Sequence, residues 1–354
     1  MDAHAEHRVA QGHYEDIMMY SKDEKRYKIK NPKAFAEIVT NNETMISFFH
    51  YAESIALSSH PIFITGETGV GKGLMAKSIY KLSGLKGRFV IVNVAGLDDN
   101  IFSDTLFGHV KGAFTGADQI RHGLIRHATD GMLLLDEIGS LSSVSQVKLL
   151  RLLQEGEYLP LGQDKIEKTN ARILTSTNED LWSLMRTEKF RKDLNFRLRT
   201  HHIHMPPLRE RSDDISLLAD HFLDKSAREL KKKKPTAPKE LYERLKTYSF
   251  PGNVRELEAM VHNAVTMHTG GMLSLDMFKL HIKLEQESAV SPTKTGSELH
   301  APMTFGRDLP TIKEANKMLV IEAMKRANNN QTLAASMIGI TRQALSKRLK
   351  NMKS

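Results

Sequence analysis

The sequence predicts a mostly parallel α/β domain, then a helical subdomain, then a small all-α unit at the C-terminus. Three observations carry this prediction. Four short apolar runs, at residues 61–65, 88–92, 132–135 and 171–175, alternate with amphipathic stretches of the length that crossover helices need. Between about residues 209 and 282 the strand signals vanish and apolar positions recur at helical spacing. The charge is uneven: 51 Lys and Arg against 42 Asp and Glu give +9, and residues 311–354 alone hold nine basic side chains against Glu314 and Glu322.

Composition bounds the rest. A chain of 354 residues with 40% hydrophobic and 26% charged side chains reads as a soluble globular protein of two or three domains. No apolar run approaches the roughly 18 residues of a membrane span, and the N-terminus lacks the apolar core of a secretory signal. Cysteine is absent, which excludes disulfides, thiolate zinc sites and cysteine nucleophiles and fits a cytoplasmic location.

In chain order, residues 1–37 read as a polar N-terminal extension and residues 38–207 as the α/β domain. Its first apolar run leads into Gly66, Glu67, Thr68, Gly69, Val70, Gly71, Lys72 and Gly73, with a helix expected from about Leu74. Glycines and a lysine at this spacing, between a strand and a helix, form a phosphate-binding loop. Backbone N–H groups and the helix N-terminus offer partial positive charge, and Lys72 reaches the terminal phosphates. Gly73 stands where such loops usually place a magnesium-binding Ser or Thr, so Mg²⁺ must rest on other groups. The run at 132–135 supplies them. It ends in Asp136, placed to hold Mg²⁺ through water, and Glu137, placed to polarise an attacking water. ATP and Mg²⁺ are therefore the expected substrate and cofactor.

Asn178 closes the run at 172–177, expected to neighbour the strand of Asp136, where its amide can sense a γ-phosphate or simply make a turn. Arg191 and Arg197 read equally as helix-surface charges or as arginine fingers for a neighbouring subunit. His201, His202 and His204 lack a completing carboxylate and read as packing or surface residues. Residues 208–284 form the helical subdomain, in which Lys231 to Lys234 are expected in a solvated loop. Residues 285–309, rich in Ser, Pro, Thr and Gly, mark a linker.

The last unit, 310–354, opens on a capping box of Thr311 and Glu314 before a helix with apolar positions Ile312, Ala315, Leu319 and Ala323. A short helix at 331–338, a turn at Gly339 and a second helix from about Thr341 make a helix-turn-helix pattern. Leu345 and Leu349 are expected inward, with Thr341 at the helix start and Arg342, Gln343, Ser346, Lys347 and Lys350 outward as DNA-binding residues. Arg342 and Gln343 suit base edges and the lysines suit phosphates.

Taken together, G-E-T-G-V-G-K-G, the hexapeptide G-A-F-T-G-A at 112–117, the Asp136-Glu137 pair and F-P-G-N-V-R-E-L at 250–257 resemble the AAA+ domain of bacterial sigma-54-dependent transcriptional activators, also called enhancer-binding proteins. The C-terminal text resembles the Fis-type helix-turn-helix that ends most members. The resemblance covers roughly residues 38–284 and resumes at the C-terminus. It implies an ATPase with a helical lid that binds upstream DNA and remodels the sigma-54 RNA polymerase holoenzyme, probed by a loop with Phe114 and Thr115 at its tip. It also implies Asn93 as a group coupling Glu137 to nucleotide state, Asn178 as sensor I, Arg191 and Arg197 as fingers, Arg255 as sensor II, and a hexameric ring. Within these 354 residues the expectation is a member without a receiver or ligand-sensing segment before the ATPase region, with control expected from a separate regulatory protein or from expression level. Two other readings stand beside it: a DNA-binding regulator using ATP only as an assembly ligand, and a general AAA+ remodeller.

Overall fold

The computed structural model describes residues 29–290 and, in the C-terminal unit, 311–327, 331, 334, 335, 338–340 and 342–351. The chain divides into two units, Met1–Val290 and Ser291–Ser354.

The first unit is organised by a five-stranded parallel sheet of β1 (Ile62–Thr65), β2 (Phe89–Asn93), β5 (Met132–Asp136), β8 (Arg172–Thr177) and β9 (His201–His204), in the order β2-β5-β8-β1-β9. The four expected runs become four of these strands, and the histidine triplet supplies the fifth, pairing with β1 from Ile62↔His201 to Thr65↔His204. Alternate strand residues feed two cores. Phe63, Leu133, Leu135 and Ile173 face one side, and Ile62, Ile64, Met132, Leu134 and Leu174 face the other. Burial on both faces is why the central strands β1 and β5 read as apolar runs and not as alternating ones, whereas the edge strand β2 leaves Ile91 exposed.

Helices cover both faces. They are α1 (Glu43–Ile55), α2 (Lys72–Ser83), α3 (Asp99–Phe107), α4 (Leu124–His127), α5 (Ser143–Glu155), α6 (Leu181–Arg186) and α7 (Lys192–Leu198). Asn42, Asp98 and Ser142 cap α1, α3 and α5 by accepting hydrogen bonds from exposed first-turn N–H groups. Buried Arg172 donates to the carbonyls of Ile55, Ala56 and His60, tying the C-terminal end of α1 to β8. Two short hairpins project from the layer: β3 (Gly108–His109) with β4 (Arg121–His122), and β6 (Glu157–Tyr158) with β7 (Glu167–Lys168).

The expected extension at 1–37 is corrected at its end. Phe35 is buried, stacked on Phe49 with ring centroids 4.2 Å apart, and Glu37 accepts hydrogen bonds from Lys77 and Lys81. Residues 29–37 are thus part of the folded body; the remainder of the extension lies outside the described residues.

The lid follows as α8 (Ser212–Glu229), α9 (Lys239–Thr247), α10 (Asn253–Met267) and α11 (Asp276–Val290), built around a core of its own that includes Leu218, Phe222, Leu241, Phe250, Leu257, Val261 and Phe278. The helix α11 runs on to Val290, so the first residues of the expected linker are helical. The rest of that linker lies outside the described residues. Lysines 231–234 do lie in an exposed turn, but Lys232 also donates to the carbonyls of Val265, Thr266 and His268 and so caps the C-terminal end of α10. No described helix is long and apolar enough to cross a membrane.

The C-terminal unit holds α12 (Ile312–Arg326) and α13 (Arg342–Asn351), with the expected turn between them. Gly339 adopts φ +66°, and the N–H of Ile340 reaches back to the carbonyl of Ala335 at 3.0 Å, the six-to-one bond of a Schellman helix end. Of the expected short helix, Gln331, Ala334 and Ala335 are helical, whereas Ile338 already lies in the turn. On α12 the apolar position Ala323 is buried and Leu319 is exposed, and the buried stripe is Val320, Ala323 and Ala327, packed with Ala334, Ala335 and Leu345. That stripe keeps helical spacing and meets small residues across the turn.

Candidate functional site

The expected phosphate-binding loop forms between β1 and α2. Gly66, Gly69 and Gly71 all take positive φ, and Gly71 is the N-cap of α2, so the loop turns its amides toward the helix N-terminus. Lys72 opens the helix and is buried. Its ammonium donates to the carbonyls of Gly66 at 2.8 Å and Glu67 at 3.3 Å and lies 3.8 Å from the Glu137 carboxylate. Burial pulls the Lys72 pKa down, and the charges of Glu137 and Asp136 oppose that shift. A side chain added at Gly73 would meet open space, so no crowding forces a glycine there.

Asp136 and Glu137 close β5 beside this lysine. Asp136 accepts the Ser176 hydroxyl at 2.6 Å, and Glu137, in the left-handed region at φ +63°, accepts the backbone N–H of Asn178 at 3.1 Å. Asn178 in turn donates its amide to Thr68 at 2.9 Å. The strand of Asn178 does neighbour that of Asp136, in the register Asp136↔Ser176. P-loop, acidic pair and Asn178 therefore form one connected group. Asn93 ends β2 opposite Asp136, but its amide oxygen accepts the N–H of Ala95 and does not engage Glu137 here.

The lid closes over the same loop. The Cβ of Arg255 would lie 3.2 Å from a Cβ built on Gly69, and the Val254 N–H donates to the Gly69 carbonyl at 3.1 Å. Arg211 donates to the Val70 carbonyl from a buried position. Arg191 and Arg197 stand elsewhere. Arg191 precedes α7 and pairs with Asp193, and Arg197 donates to the Leu153 carbonyl. Among the described residues, neither bonds the P-loop of its own chain.

The hexapeptide sits at the end of the hairpin β3–β4. The Gly112 N–H donates to the Ala117 carbonyl, and the Ala117 N–H to that of Phe114, closing a tight loop with Thr115 exposed and Phe114 48% exposed. Gly108 is required at the base, because a Cβ there would come 2.1 Å from the Arg121 carbonyl. Val110 donates to the Leu161 carbonyl and Leu161 to that of Gly108, so the second hairpin, β6–β7, braces the first. Sequence reasoning missed this support, whose only local signal is the turn around Gly162. It also missed His109, whose ring meets Phe114 edge-on at 4.9 Å while bonded to Asp104, itself paired with Arg121.

Of the histidines of β9, His201 and His202 are half-buried and His204 is exposed, in line with packing and surface roles. His202 stacks on Phe63 at 5.2 Å and bonds the Thr65 hydroxyl at 2.8 Å, and burial drives its pKa down to about 3. No cluster of three metal-ligating side chains occurs among the described residues.

In the C-terminal unit, Arg342, Gln343 and Lys347 are exposed along α13, Ser346 is half-buried, and Leu345 and Leu349 face the core. Thr341 lies outside the described residues; Lys350 is in the helix, with its side chain not described.

Comparison with known proteins joins these features. The Sigma-54 interaction domain matches residues 38–204, the AAA+ ATPase lid domain residues 209–295, and the bacterial regulatory protein, Fis family, domain residues 311–352. The chain is 38% identical over 313 residues to the regulatory protein AtoC of Escherichia coli K12, covering 88% of this chain and 66% of AtoC. It is 37% identical over 319 residues to the formate hydrogenlyase transcriptional activator FhlA of the same strain, covering 90% of this chain and 44% of FhlA. The chain therefore spans less than two thirds to under half of these relatives. The fold matches that of NtrX from Brucella abortus, solved in complex with ATP, at a TM-score of 0.64 and 23% identity, covering 100% of this chain and 77% of NtrX. A P-loop domain bearing this hairpin, its lid and a Fis-family terminal unit follow one another here as they do in the bacterial sigma-54-dependent transcriptional activators, and the chain belongs to that family.

Proposed function

We propose that the chain hydrolyses ATP and uses the turnover to remodel sigma-54 RNA polymerase holoenzyme at promoters, after binding upstream DNA through residues 310–354. The observation that carries this reading is the braced hairpin, which presents Phe114 and Thr115 to solvent from the same domain that holds the P-loop. A loop without ionisable side chains cannot do the chemistry itself, and an exposed Phe between small residues is an anchor for a partner surface.

At the nucleotide, Lys72 and the loop amides hold the phosphates. Glu137, aligned by the Asn178 N–H, orients water and takes its proton. Asp136 offers a hard carboxylate oxygen that would hold Mg²⁺ through water, and Mg²⁺ bound there would neutralise charge on the phosphates. Arg191 and Arg197, which make no hydrogen bond to their own P-loop among the described residues, serve a neighbouring subunit's nucleotide. The side chain of Phe196 between them, 68% exposed, supports self-association, and we assign a hexameric ring. Asn93 then engages Glu137 in another nucleotide state. Arg342 and Gln343 read base edges while Lys347 and Lys350 contact phosphates. A cytoplasmic location and control by a separate regulatory protein complete the reading.

The test is Thr115→Ala, assayed with sigma-54 holoenzyme on duplex and pre-opened promoter templates beside an ATPase assay. ATP turnover should persist while duplex opening is lost. Normal duplex opening by both Thr115→Ala and Phe114→Ala would overturn the assignment and favour ATP as a mere assembly ligand.

A further inference from the structure

The P-loop residue Glu67 is held by the lid. Its carboxylate receives both arms of the Arg209 guanidinium, at 2.6 and 2.9 Å, and the side-chain amide of Asn253 at 3.0 Å. Arg209 belongs to the segment that leads into the lid, and Asn253 begins the lid helix that carries Arg255 two residues on. The Asn253 amide also donates to the Thr68 carbonyl at 3.0 Å, while its oxygen accepts the N–H of Leu208 at 2.7 Å. One buried side chain thus joins three segments: P-loop, lid entrance and lid helix.

The backbone marks the same residue. Asn253 is fully buried at φ +53°, a conformation unusual for a non-glycine residue. Glycine would meet the backbone need at once. An amide kept there in spite of the strain serves the hydrogen bonds it makes.

We infer that Glu67, Arg209 and Asn253 form the joint through which nucleotide in the P-loop sets the position of the lid, with Asn253 a positioning residue acting on Arg255. This inference rests on the ATPase reading above. Phosphates entering the loop engage the amides next to Glu67 and Thr68. Any shift of that backbone is passed to the lid helix through two short hydrogen bonds and a bidentate ion pair, which are stiff in direction. Loosening the joint leaves the phosphate contacts of Lys72 intact but lets Arg255 drift.

The experiment uses the full chain, which has no cysteine of its own. Cysteines at exposed Ser59 and Asn263 carry a donor and an acceptor dye, one on the α/β body and one on the lid. ATP or ADP is added, and transfer efficiency, ATP affinity, kcat and KM are measured. The labelled parent should change transfer efficiency on ATP binding. Asn253→Gly keeps the positive φ and loses the amide, and Arg209→Ala breaks the ion pair at an exposed site. Each should bind ATP within about threefold of the parent, lose most of the ATP-induced change, and lower kcat about tenfold with little change in KM. Arg209→Lys, which keeps charge but not the fork, should recover only part of the loss. If Asn253→Gly does not fold, Arg209→Ala decides alone. A parent that shows no nucleotide-dependent change, or variants with the parent's change and kcat, would overturn the joint. Loss of ATP hydrolysis in no variant, Lys72→Ala included, would instead overturn the ATPase reading.

Discussion

Gly69→Ala tests how closely the lid must sit on the P-loop. Gly69 adopts φ +82°, and a Cβ built there falls 2.2 Å from the Gly252 carbonyl oxygen and 3.2 Å from the Arg255 Cβ. Ordinary contact begins at 3.4 Å, so the lid must retreat by about 1.2 Å along that line. The same retreat breaks the 3.1 Å hydrogen bond from Val254 to the Gly69 carbonyl. Left-handed strain on Ala costs about 1–2 kcal/mol and the lost bond about 1 kcal/mol, so unfolding free energy should fall by about 2–3 kcal/mol. Catalysis suffers more, since a displacement of about 1 Å at a positioned group can lower the rate by roughly 100-fold. Gly84→Ala is the control: it has φ +66° and open space around the added methyl, so it carries backbone strain without displacement. Urea unfolding and steady-state ATP hydrolysis are measured on both. Gly84→Ala should lose about 1–2 kcal/mol and keep full turnover. Normal turnover in Gly69→Ala, or equal loss in the two variants, would refute the argument from lid contact.

Two further outcomes follow from the same geometry. Glu137→Gln keeps an oxygen to accept the Asn178 N–H but removes the base, so ATP should bind while turnover drops roughly 10²–10⁴-fold; turnover near the parent's would sink the assignment. Because the folded-state pKa of His202 is depressed from 6.5 to about 3, by burial first and then by the charges of Arg199 and His204, the unfolded chain binds the extra proton between those values. Stability contributed by neutral His202 is therefore complete above about pH 6.5 and is lost as pH falls toward 3, at up to about 1.4 kcal/mol per unit. Urea midpoints at pH 7 and pH 5 should converge in His202→Asn relative to the parent, and an unchanged acid loss would exclude His202 as its source.

Much of this protein is written in local pattern. The runs that become β1 and β5 could be read because central strands buried on both faces are apolar at nearly every position, and the P-loop because glycine spacing and a lysine are a short-range requirement. Gly339 marked its turn for the same reason: only its own φ had to be satisfied. Along α12, Leu319 and Val320 are equally apolar and only the partner across the turn selects Val320 for burial.

What the pattern cannot carry is pairing across the chain. Glu67 meets Arg209 across 142 residues and Asn253 across 186, and nothing near Glu67 announces either partner. The same holds for Leu161 under the hexapeptide loop, and for the Leu153 carbonyl that Arg197 meets 44 residues away. The sequence by itself determined four of the five strands of the main sheet, the P-loop and most of the helices, because those choices depend on neighbours a few residues apart. Only the tertiary structure decided which side chains face one another, because that depends on sheet order and on how the lid packs, where single hydrogen bonds of about 1 kcal/mol act between residues that folding alone brings together.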